Sequence, residues 1–203
     1  VLLVPLSAEN MCGVPSLPPH YLPREAEFRS LKGSLLRAAA APGTSRLVVV
    51  SSAPVLGVQG MGGVGKTTNA AAAAHDVEVQ TAFPDGIWWL TCGHDALPLD
   101  LLRTLARRLG ASRSFDSVEE GQAEVQAHVQ RSGPHLLLIL DDIWEREQSD
   151  ALLGALAPPS CILVTTRDAS IVAGAGGASR LMGVMSPDAA EALLLQSAGV
   201  ALP

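Results

Sequence analysis

The sequence has no basic excess, few cysteines and no long apolar run. Its 14 Lys and Arg stand against 20 Asp and Glu, a formal net charge of −6. A broad nucleic-acid-binding face needs clustered Lys and Arg, so that class is excluded. A local anion site built from backbone N–H groups remains open. The three cysteines, Cys12, Cys92 and Cys161, are odd in number, far apart and not in CxxC spacing. That pattern argues against a zinc site or a disulfide framework and fits a reducing, cytosolic setting. The longest compact apolar run, 136–140, is strand-sized, far short of a bilayer span. The five histidines, His20, His75, His94, His128 and His135, share no metal-ligand spacing. Charged residues make up 17% against about 25% in ordinary soluble domains, which leaves apolar surface for a further part to cover. The chain begins at Val1 and not at Met, so we expect a piece of a longer protein. Residues 1–6 are apolar but too short for a signal peptide and have no basic region before them.

Hydrophobic residues amount to 48% of the 203, which excludes disorder. That length gives one domain of ordinary to large size with its own core. Residues 1–22 are rich in proline and read as an extended lead-in. Pro23 can open a helix in which Phe28, Leu31, Leu35 and Leu36 recur at helical spacing. Two short apolar runs follow, 47–50 and 55–58, the second read as the strand before a glycine-rich loop. Beyond the loop the pattern alternates: helix 66–79, strand 87–92, helices 99–109 and 118–131, strand 135–140, helix 151–156, strand 161–165, strand 180–184 and a last helix from Ser186 to Gln196. Strands alternating with helices give an α/β domain with a mainly parallel sheet. No internal repeat is present.

Gly60-Met61-Gly62-Gly63-Val64-Gly65-Lys66-Thr67 matches GxxxxGK[ST]. The glycines let consecutive N–H groups point at phosphate oxygens, and the following helix adds its positive end. Gly60, Gly62, Gly63, Val64 and Gly65 would cradle phosphate, and Lys66 would reach the β and γ phosphates. Thr67 would ligate Mg²⁺, and Thr68 would contact the α phosphate. The apolar strand 135–140 ends in Asp141-Asp142. Two carboxylates at the tip of a buried strand cost free energy unless a cation or hydrogen bonds hold them. Asp141 would serve Mg²⁺, and Asp142 would orient or deprotonate the attacking water. A second buried strand ends in Thr165-Thr166-Arg167-Asp168. Ligands of open parallel sheets bind at the carboxyl ends of the strands, so Arg167 reads as a sensor of the γ phosphate or as a surface ion pair with Asp168.

Four motifs stand in order: GMGGVGKTT at 60–68, FPDGIWWL at 83–90, LLLILDDIW at 136–144 and ILVTTRD at 162–168. Together they resemble the NB-ARC nucleotide-binding domain, the STAND-class ATPase module of plant disease-resistance and apoptosome-forming proteins. Pro23-Arg24-Glu25 resembles the segment that borders the adenine there, so Leu22 and Arg24 would flank the base. The resemblance covers roughly 22–198 and implies a P-loop NTPase with a five-stranded sheet of order 5-1-4-3-2. The strand 161–165 would then lie between the loop strand and the Asp141 strand. It implies a regulatory switch: ADP-bound at rest, ATP-bound and self-associating when active, with Mg²⁺. Residues 23–199 would form this domain and 200–203 a tail toward a helical domain, with winged-helix and repeat domains beyond. Asn69 departs from the pattern, where an apolar residue is usual, and the run 47–50 has no counterpart in it.

Other readings compete. A partitioning or anion-pump ATPase carries KGGxGK[ST], and Met61 stands where that lysine would be. A small-molecule kinase needs arginines over the phosphates, whereas Arg103, Arg107 and Arg108 alternate with leucines as a solvated helix face does. A nucleotide-binding scaffold with negligible hydrolysis is the third. Adenine preference rests on the resemblance, because no guanine-reading NKxD run is present.

Overall fold

A computed structural model of the chain describes residues 5–40, 47–52, 63–111, 113–172 and 178–199. Six strands form one parallel sheet: β1 (Met11–Cys12), β2 (Leu47–Ser52), β3 (Gly86–Thr91), β4 (Leu136–Ile143), β5 (Cys161–Thr166) and β6 (Ala178–Met182), in spatial order β1-β3-β4-β5-β2-β6. Without the two-residue edge strand β1 and numbered from β2, the order is 5-1-4-3-2 read from the β6 side. The place next to β5 belongs to Leu47–Ser52, the run without a counterpart in the motif pattern. The run 55–58, read from the sequence as the strand before the loop, lies outside the described residues.

Helices cover both faces. α1 (Glu25–Ala40), α2 (Lys66–His75) and α3 (Val77–Ala82) pack on one; α4 (Pro98–Leu109), α5 (Val118–Ser132) and α6 (Arg146–Leu153) on the other; α7 (Pro187–Ser197) follows β6. The lack of polar alternation along β4 and β5 follows from this. Leu136, Leu138 and Leu140, with Ile162 and Val164, enter the α4–α6 core, while Leu137 and Ile139, with Cys161 and Leu163, enter the α1–α3 core. Each strand alternates between two apolar layers, as parallel sheets do. Trp89 is buried on the α1–α3 side and Trp88 packs against the other core. The alanines of α2 (Ala70, Ala71, Ala73, Ala74) are buried against the sheet, where small side chains allow a close approach.

Two local departures from the sequence pattern have physical causes. The helix expected over 66–79 breaks at Asp76, which ends α2 and caps α3 by accepting from Glu78 N and Val79 N, and which also pairs with Lys32 at 2.9 Å. The proline-rich lead-in is not wholly extended, because Met11–Cys12 adds a strand to the edge of β3. Arg108 is exposed, as expected of that helix face, and its guanidinium also donates to Trp89 O on β3, next to the two residues that β1 pairs. Among the described residues no helix is long and apolar enough to cross a membrane.

Candidate nucleotide and magnesium site

The carboxyl ends of β4 and β5 converge on the first turn of α2. Gly63 and Gly65 hold φ of +85° and +94°, values that side chains with a Cβ rarely adopt. Gly65 is the residue from which α2 springs. The glycine at 65 thus lets the chain reverse and enter the helix with Lys66 and Thr67 facing the strand ends. Gly60 and Gly62, the other two loop glycines expected to cradle phosphate, lie outside the described residues.

Thr67 Oγ1 donates to Asp141 Oδ1 at 2.9 Å, and Thr165 Oγ1 donates to the same oxygen at 2.6 Å. Asp141 is buried. Burial pushes its carboxyl above the usual carboxylate range and the neighbouring Asp142 adds to this; the Thr165 and Thr67 hydroxyls and Lys66 work in the opposite direction. Lys66 is nearly buried. Burial first, and Arg167 second, push its ammonium below the ordinary lysine value, while Asp142 and Asp141 oppose them. A cation with too little compensation is suited to receive an anion.

Asp142 lies within a register irregularity between Leu140 and Ile143 and has a φ of +58°. Successive residues of a regular strand face opposite sides. The bulge breaks that alternation, and both carboxylates act on Lys66. Thr165 Oγ1 accepts from Asp142 N at 3.0 Å, so one buried hydroxyl fixes both acids. Asp142 Oδ2 accepts from Trp144 Nε1 at 2.9 Å, and Asp142 Oδ1 faces Arg167 Nε at 3.8 Å. The Arg167 guanidinium lies over the Trp144 ring, 4.2 Å from its centre, and His94 meets the ring edge-on. Gln148 braces this corner: it accepts from Trp144 N and donates to Gly93 O and Ala96 O. The structure therefore brings Lys66, Thr67, Asp141, Asp142 and Arg167 together, and pairs Arg167 with Asp142. Sequence reasoning missed Thr165, Trp144 and Gln148 as parts of this site. Only the placement of Thr165 at the end of an otherwise apolar strand signalled it.

A cavity of about 320 Å³ opens beside the loop, within the range of small-ligand sites. Gly63, Val64, Gly65 and Thr68 line one end, and Leu22, Met182, Met185 and Leu193 provide apolar wall. Arg24 lines it too, and its guanidinium donates to Val64 O at 3.0 Å, to Gly183 O at 2.9 Å and to Glu27. It thereby ties the phosphate loop to the segment after β6.

The donor set fits a hard divalent cation. The Thr67 hydroxyl and Asp141 carboxylate are oxygen ligands in contact with one another, the type Mg²⁺ prefers. Among the described residues no group of three His, Cys, Asp or Glu could hold a metal, so a cation here would complete its shell with phosphate oxygens and water. Asp141→Asn tests the electrostatics directly. An acid that binds its proton more tightly when folded stabilises the fold as pH falls through the raised pKa, and costs stability above it. Asn at 141 retains an oxygen for the two threonines. Without nucleotide, its urea midpoint at pH 8 is expected above that of the parent chain, while Mg²⁺ no longer strengthens nucleotide binding. A lower midpoint would contradict the burial argument.

Comparison with known proteins agrees with this geometry. The chain is 29% identical over 167 residues to human apoptotic protease-activating factor 1, covering 78% of this chain and 12% of that protein. It is 34% identical over 122 residues to an Arabidopsis thaliana "Probable disease resistance protein", covering 60% of this chain and 14% of that one. The chain thus spans a small part of these relatives' length. In fold it is similar to the Orc1 protein of Aeropyrum pernix, solved with DNA, at a TM-score of 0.65 and 17% identity, covering 89% of this chain and 50% of that one. It is also similar to a Pyrococcus horikoshii signal transduction ATPase with numerous domains and a tetratricopeptide repeat sensor, at a TM-score of 0.52 and 17% identity, covering 98% and 28%. The sheet order, the loop entering α2 and the acids at the end of β4 are those of a P-loop nucleotide-binding fold. The NB-ARC domain model matches residues 44–201, and the chain belongs to the NB-ARC domain family.

Proposed function

We propose that this domain is an ADP/ATP-binding regulatory switch with slow Mg²⁺-dependent ATP hydrolysis. The observation that carries the reading is the cluster of Lys66, Thr67, Asp141, Asp142 and Arg167 at one sheet edge, beside a cavity large enough for a base. Lys66 and the loop N–H groups hold the β and γ phosphates, and Thr68 holds the α phosphate. Thr67 and Asp141 would hold Mg²⁺, which neutralises phosphate charge when bound. Asp142 orients the attacking water and accepts its proton, and Leu22 and Arg24 flank the base. Arg167 senses the γ phosphate. It is paired with Asp142 and stacked on Trp144; a γ phosphate competes for the guanidinium and frees the acid.

Residues 23–199 form the switch domain, and the short span of the relatives that is matched supports a longer parent protein. In that protein, helical, winged-helix and repeat domains close over ADP, and the ATP state self-associates. Three cysteines outside any disulfide support a cytoplasmic setting. The DNA in the Orc1 structure carries no argument here: at 17% identity that likeness shows fold alone, and this chain is acidic.

Unassisted switch NTPases turn over near 10⁻⁴ to 10⁻² per second. Phosphate release by this chain is expected in that range, and turnover above about 1 per second would overturn the switch reading. One observation favours a second reading, a nucleotide-binding scaffold: both carboxylate oxygens of Asp142 are engaged, by Trp144 and Arg167. Mg²⁺-dependent ATP binding with no detectable phosphate release would select it.

A further inference from the structure

We propose that Asn69 reads the base of the bound nucleotide and selects adenine over guanine, an inference that rests on the nucleotide-binding reading above. Asn69 is 5% exposed and lines the cavity beside Thr68, in the first turn of α2. A buried primary amide costs free energy unless its donor and acceptor are satisfied. Its backbone N–H bonds Gly65 O, but no side-chain hydrogen bond among the described residues involves the amide. Among those residues the fully buried polar side-chain atom without a partner is Ser149 Oγ, so the Asn69 amide keeps contact with the cavity it lines.

Two of the neighbouring polar groups are committed elsewhere, while His20, Tyr21 and Thr68 also line the cavity. Arg24 is held by Val64 O, Gly183 O and Glu27, and Ser197 donates its hydroxyl to Leu193 O at 2.7 Å. The apolar wall accepts a flat ring but cannot tell one purine from another. An amide presents one donor and one acceptor side by side. Adenine offers the complementary pair, the N7 acceptor and the N6 amino donor. Guanine offers two acceptors, N7 and O6, on the same edge. One amide orientation therefore satisfies adenine fully and leaves the Asn69 oxygen opposed to an oxygen of guanine.

The experiment measures equilibrium binding of ATP, GTP and 7-deaza-ATP, each with Mg²⁺, by titration calorimetry on the parent chain and on Asn69→Leu. The parent chain is expected to bind ATP at least tenfold more tightly than GTP and than 7-deaza-ATP, on the order expected of a bidentate amide–adenine pair. In Asn69→Leu the three affinities are expected to converge, with the loss confined to ATP. Should the leucine variant fail to fold by circular dichroism, Asn69→Ala carries the same expectation, because it too removes both the donor and the acceptor. An unchanged ATP-to-GTP ratio in a folded variant would overturn the proposal and leave nucleotide binding intact. Equal losses for ATP and GTP would place the amide on the ribose or phosphates and overturn it likewise. A parent chain that binds none of the three would overturn this proposal and the nucleotide reading together.

Discussion

Lys66→Ala is expected to weaken Mg²⁺-ATP binding by a factor on the order of 10² or more while leaving the fold intact. Hydrogen bonds to charged groups contribute about 1.5–3 kcal/mol each, and Lys66 is read as reaching two phosphates. A single lost contact of about 3 kcal/mol already exceeds a hundredfold in affinity. Stability is expected to survive for a reason visible without ligand. Lys66 is desolvated and repelled by Arg167, and Asp142 and Asp141 only partly offset this. Removing the ammonium removes those unfavourable interactions along with the favourable ones. Calorimetric titration with Mg²⁺-ATP and a thermal melt check the two halves separately. Binding within threefold of the parent chain would show that the loop does not hold phosphate.

Asp142→Asn is expected to slow hydrolysis by about 10²–10⁴-fold, the contribution of a positioned general base, with ATP binding nearly unchanged. The substitution is chosen for its backbone. Asp142 holds a φ of +58°, and Asn tolerates the left-handed region where most residues do not. Asn can still accept from Trp144 Nε1 but no longer pairs with Arg167 as an ion. Single-turnover assays with a large excess of protein read the chemical step against a slow background. If hydrolysis proceeds at the parent rate, Asp142 does not activate water, and the scaffold reading replaces the switch.

Much of this architecture could be read from the residues because the physical requirements are strict. An apolar strand that ends in two acids needs something to hold the charge, and Asp141 and Asp142 do fall at the end of β4 beside Thr67. Ser186 before Pro187 marks a helix start, and it accepts from Ala189 N in α7. The strand order followed from the family resemblance, not from periodicity. Where local signals were degenerate the reading was incomplete. Residues 47–50 and 55–58 are both short apolar runs bounded by turn formers, which periodicity alone does not tell apart; the first pairs with β5 and β6, and the second lies outside the described residues. Asp76 looked like one polar residue in a helix, because an N-cap in the middle of a helical pattern is visible only when the chain turns. Thr165 looked like a strand former, since its role depends on Asp141 and Asp142, 24 and 23 residues away. Trp144 and Gln148 belong to the same class: their partners are set by tertiary packing, not by spacing.

The most direct test of the central claim needs no mutation. The chain is purified without added nucleotide, denatured, and the released small molecules are separated by ion-exchange chromatography, followed by Mg²⁺-ATP titration of any empty fraction. ADP in the release, or Mg²⁺-dependent ATP binding by the empty chain, is the expected result. A chain that releases no nucleotide and binds no ATP with Mg²⁺ present would contradict the account, loop and acids notwithstanding.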